Sequence, residues 1–143
     1  MKFAETTEAE PLANERQSAI NIPFGLLGFE GVKQYTLLAD PQEAPFLWLQ
    51  MLEDPKASFL VLNPFLVLPD YQPELSDEDV AFLGLQTSEE AAIFNIVTLR
   101  GRGSATINLK GPIVINRRTL VAKQIIPINA ASYSVQEKLP LTS

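Results

Sequence analysis

The 143-residue chain has no cysteine and no histidine. The first absence excludes disulfides, thiol nucleophiles and sulfur-ligated zinc; the second excludes imidazole as an acid–base group near neutral pH. A calcium loop of alternating Asp or Asn around a central glycine is also missing, so neither metal nor cofactor is expected. Apolar runs fall short of the roughly 18 to 20 residues of a spanning helix. The polar, acidic start, MKFAETTEAEPLANERQ, holds no apolar stretch of signal-peptide length. A cytoplasmic protein without membrane contact is the expectation. Carboxylates are left for catalysis, but Asp77, Glu78 and Asp79 occupy a helix first turn, and Asp40, Glu43, Glu53 and Asp54 occupy turns. Such acids serve capping and turn formation, so no enzyme is expected.

What is present fits one globular domain: 46% apolar residues, 20% charged, and enough length for a real core. Residues 1–15 are polar and aperiodic and read as a disordered arm, with a single domain over 16–143. The net charge of −6 is uneven, because residues 34–99 carry eleven acids against Lys56, while residues 100–143 carry seven basic groups against Glu137. An acidic face of this kind favours a basic partner and repels nucleic-acid phosphates. Arg100, Arg102, Lys110, Arg117, Arg118 and Lys123 form a basic set, but no aromatic lies among residues 100–126 to stack on bases. No direct nucleic-acid binding is expected. An alternative use for Arg117, Arg118 and Lys123 is to grip a small anion or nucleotide inside a β-barrel.

Short alternating or apolar runs recur every ten to twelve residues. They lie over 18–22, 33–39, 46–52, 58–63, 93–99, 104–109, 113–116 and 120–126, with proline, glycine or aspartate between them. About eight short strands at that spacing predict a mainly β fold, an antiparallel barrel or sandwich. Ser76 followed by three acids, with Gly84 seven residues after Asp77, predicts a short helix; Thr87 to Ala91 predicts a further helical turn. Three glycines in Phe24–Gly31 mark a turn-rich loop, whose apolar residues are expected to lie on the core. Phe65 and Tyr71 lie in a proline-punctuated segment flanked by acids. They read either as anchors inside a charged rim or as cover for one open end of the barrel.

Ile22-Pro23-Phe24-Gly25-Leu26-Leu27-Gly28-Phe29-Glu30 resembles the opening signature of the FliW family of flagellar assembly factors. Further motifs follow in family order: Ala44-Pro45-Phe46-Leu47-Trp48-Leu49-Gln50, Pro69-Asp70-Tyr71, Asn95-Ile96-Val97-Thr98, Asn108 to Asn116, and Ala122-Lys123-Gln124. The resemblance covers residues 17–126 and departs at Gly101-Arg102-Gly103, a shorter and more basic hairpin than the family pattern. It implies a pseudo-barrel capped by one or two short helices, without catalysis; a monomer is expected for the free chain. It also implies two partners, flagellin and the translational repressor CsrA. In that family, flagellin holds the factor until export, and the freed factor then binds CsrA and relieves repression of flagellin translation. CsrA is a basic RNA-binding dimer, so charge and position nominate Asp40, Glu43, Asp70, Glu74, Asp77, Glu78 and Asp79 as rim charges. Phe65 and Tyr71 are the nominated anchors.

Overall fold

A computed structural model describes residues 1–3, 19–53 and 57–139. Its strands are β1 (Ile20–Asn21), β2 (Gln34–Ala39), β3 (Leu47–Met51), β4 (Ser58–Leu62), β5 (Ala91–Gly101), β6 (Ser104–Ile107), β7 (Ile113–Asn116), β8 (Ala122–Gln124) and β9 (Glu137–Lys138). One α-helix is described, α1 (Asp77–Leu83). The second expected helical turn is a 3-10 turn over Ser88–Glu90, and β9 lies in a tail that carries no strand pattern in sequence.

All named strand pairs are antiparallel, and β1 through β5 pair in chain order. The eleven residues of β5 serve two neighbours on one edge. Ala91–Phe94 pair with β7, and Val97–Gly101 pair with β6. β7 pairs with β8, and the seam closes back onto β1 through a parallel bridge between Asn21 and Val121, where Asn21 N–H donates to the Leu120 carbonyl at 2.9 Å. Leu120 takes φ +61° to present that carbonyl, a conformation costly for a residue with a Cβ. The expected pseudo-barrel is therefore present, with β6 and β9 extending from one side.

Two cores result from strand alternation. Tyr35, Leu37, Leu49, Val61, Ala92, Phe94, Ile113 and Ile115 fill the barrel interior. The intervening residues Leu62, Ala91, Ile93 and Val114 face outward and are covered by Phe65, Tyr71, Leu75 and Leu83. The first half of β5 and all of β7 are buried on both faces, which is why Ala91–Phe94 and Ile113–Ile115 read as unbroken apolar runs.

The expected disordered arm fails for its first three residues. Phe3 is buried in the outer core, the Lys2 backbone forms an antiparallel β-bridge with Glu74, and the Met1 ammonium donates to the Leu75 carbonyl. The rest of that arm, residues 4–15, lies outside the described residues.

Candidate functional site

The glycine-rich loop after β1 is shaped by one close approach. Gly25 has φ +68°, and a Cβ there would sit 2.5 Å from the Glu30 Cα, so the chain folds back on itself only with glycine at this position. The Gly28 N–H donates to a Glu30 carboxylate oxygen at 3.0 Å. That bond, with one from the Glu30 backbone, holds the carboxyl below its usual range. Gln124 stitches the loop to the barrel, accepting from Leu27 N–H at 2.8 Å and donating to the Gly111 carbonyl at 3.0 Å.

Folded this way, the loop buries Ile22 and Leu26 and turns its other apolar side chains out. Phe24 is 56% exposed and Leu27 80%; nearby Ile126 and Val135 are 66% and 53% exposed. These four line one groove of about 490 Å³, with Lys110, Asn108, Glu30 and Gln124 as its polar points. The expectation that the loop lies on the core thus holds for Leu26 and not for Phe24, Leu27 or Phe29. Alternation cannot separate inside from outside where glycines break the backbone period.

Phe24 also stacks on Phe82 of α1, ring centroids 5.1 Å apart, and the Lys123 ammonium lies 5.4 and 5.7 Å from the two rings. Asp79 holds that ammonium at 2.6 Å. This pair corrects two expectations. Asp79 is a buried, paired group rather than a rim charge, and Lys123 is committed to it rather than free to grip an anion. Arg117, its supposed partner in that grip, is half-buried and donates to the Ala91 carbonyl at 3.4 Å. Asp79→Ala would leave a partly desolvated ammonium unpaired. We expect a loss of about 1–2 kcal/mol in urea unfolding, against less than about 1 kcal/mol for the exposed Asp77→Ala.

The other nominated residues fall in separate places. Asp40 caps a 3-10 turn by accepting from Gln42 N–H, and Glu43 accepts from the Trp48 indole at 3.0 Å. Glu74 is half-buried, its backbone N–H bonded to Asn129. Asp77 and Glu78 are exposed on α1. Phe65 is 1% exposed and Tyr71 3%, so neither reaches a partner as an anchor. The competing expectation, that they cover the barrel, describes what they do. The Tyr71 hydroxyl donates to the Leu109 carbonyl at 2.7 Å and accepts from Asn95, and burial raises its pKa well above the ordinary value.

Asp70 and one edge of Tyr71 do meet in a second cavity, of about 450 Å³. Leu68, Pro69 and Tyr133 wall it, and Glu137 of β9 brings a second carboxylate. Tyr133 packs edge-on against Tyr71 with centroids 4.8 Å apart, and its hydroxyl accepts from Gln72 N–H. Nothing in sequence joins Glu137 to Asp70; pairing of β9 with β6 does so.

Residues 3–139 match the family model described as "FliW protein". The chain is 38% identical over 128 residues to the flagellar assembly factor FliW of Leptospira interrogans serovar copenhageni, covering 88% of this chain and 84% of that protein. It is 37% identical over 141 residues to the corresponding protein of Natranaerobius thermophilus, covering 97% and 92%. A crystal structure of the flagellar assembly factor FliW superposes with a TM-score of 0.75 at 30% identity, over 91% of this chain and 89% of that one. Signature, closed sheet and fold agree with these matches, and the chain belongs to the FliW family of flagellar assembly factors.

Proposed function

We propose that this chain is a cytoplasmic, non-enzymatic regulator of flagellar assembly that binds flagellin and the translational repressor CsrA, and relieves repression of flagellin translation when free of flagellin. The observation that carries this reading is the groove of Phe24, Leu27, Ile126 and Val135. Four large apolar side chains stand in water around one concavity, with polar groups interspersed. Exposed apolar area of this kind is costly to keep unless a protein partner covers it. We assign the groove to flagellin, because its apolar lining suits an apolar segment better than a strongly basic protein.

The geometry also supports a linkage between two partners. The groove is lined by Asn108, Lys110, Ala130 and Val135, while the second cavity is lined by Leu109, Tyr133 and Glu137. The two sites thus share the walls 108–110 and 130–137, joined by the Leu109 N–H bond to the Ser134 carbonyl at 2.9 Å. A ligand at one site that favours one arrangement of this shared segment shifts the affinity of the other by the same factor, which is how the two would be coupled. The test is affinity capture from cytoplasm with the full chain as bait. Flagellin and CsrA are expected in separate complexes; recovery of neither would contradict the proposal.

A further inference from the structure

We propose that the cavity beside Pro69–Tyr71 receives an arginine or lysine side chain of a basic partner protein. The identity of that partner rests on the reading above; the chemistry of the cavity does not. Its walls are apolar and aromatic, from Leu68, Pro69, Tyr71 and Tyr133, and it carries two carboxylates, Asp70 and Glu137. Neither carboxylate has a hydrogen bond or ion pair with any described residue, and both residues are exposed. Strand alternation directs the neighbouring Lys138 to the opposite face of β9.

A long cationic side chain matches this arrangement along its whole length. Its methylene stem packs on Leu68 and Pro69, while its head meets the carboxylates beside the Tyr133 ring. The aromatic walls are already bonded and packed in place. Tyr71 is held by its bonds to Leu109 and Asn95, and Tyr133 by its contact with Tyr71 and the bond from Gln72, so ordering on entry falls on the two carboxylates and not on the aromatic walls. An anion or a nucleic-acid phosphate is repelled by the same two carboxylates.

The test compares two charge-neutralising double variants of the full chain, in titrations against CsrA and against monomeric flagellin. Asp70→Asn/Glu137→Gln keeps shape and removes both cavity charges. Asp77→Asn/Glu78→Gln removes the same charge from the exposed helix. The cavity variant is expected to bind CsrA about tenfold more weakly or worse, with flagellin affinity changed less than about twofold; the helix variant should lose less than about threefold. Unchanged CsrA affinity in the cavity variant, or an equal loss in the helix variant, would overturn the proposal. If the unmodified chain binds no CsrA, the reading of the partner fails and the cavity is judged alone. The peptide acetyl-Gly-Arg-Gly-amide is then titrated into the 15N-labelled chain. Shifts at Tyr71, Leu109, Tyr133 and Glu137 that vanish in the cavity variant sustain the site; an unmoved spectrum refutes it.

Discussion

Phe65→Ala is expected to destabilise the protein by about 3–5 kcal/mol, the range for removing a fully buried aromatic ring. Phe65 sits in a 3-10 turn (Pro64–Leu66) capped by the Asn63 side chain, which accepts from Phe65 N–H at 3.0 Å. Its ring lies 6.1 Å from that of Tyr71 and helps join the outer core to the barrel wall. Since domains of this size hold about 5–15 kcal/mol in total, the variant should melt roughly 10–20 °C lower. The same experiment separates the two sequence expectations for this residue. An exposed anchor, once removed, would leave the melt unchanged and weaken a partner; a core residue does the reverse. A loss under about 1 kcal/mol in denaturant unfolding would contradict the packing described above.

The second large effect is on binding. Leu27→Asp/Ile126→Asp places two carboxylates in the groove at positions where the free protein already exposes the side chain. Folding stability should therefore change by no more than about 0.5 kcal/mol per site. Burial of these two side chains against flagellin contributes about 3 kcal/mol, and desolvating the new charges opposes docking further. Flagellin affinity should fall by a factor of roughly a hundred or more, measured by isothermal titration. An affinity within about threefold of the unmodified chain would remove the groove from the interface.

Much of the fold was legible because local chemistry and tertiary structure agree in it. Helix α1 starts where Ser76 caps it, accepting from Asp79 N–H, and stops at Gly84 with φ +66°, as the residue types demand. Strand spacing gave the β class, though β9 was invisible: two exposed polar residues, Glu137 and Lys138, have no period to detect. The second face of β5 and β7 was also hidden, since an unbroken apolar run does not say what covers it.

The site was less legible, for reasons that can be named. Asp77, Glu78 and Asp79 look alike as letters, but successive helical residues point in different directions. Only Asp79 turns toward Lys123. Phe65 reads equally as anchor or as cover because prolines punctuate its segment, and only the Asn63-capped turn Pro64–Leu66 decides it by packing the ring inward. Phe24 and Leu27 looked buried because they are apolar, and the geometry that exposes them depends on Gly25 touching Glu30, five residues away. Asp70 and Tyr71 share a cavity, but its other carboxylate comes from a strand that sequence did not reveal.

The most direct measurement is to add monomeric flagellin to the 15N-labelled chain and record which backbone amides respond. Perturbation should centre on Phe24, Leu27, Gln124, Ile126 and Val135 and weaken toward the far turn that Asp40 caps, Pro41–Glu43. A complex whose perturbed amides cluster at that far turn and spare the glycine-rich loop, or no complex at all, would contradict the assignment of the groove.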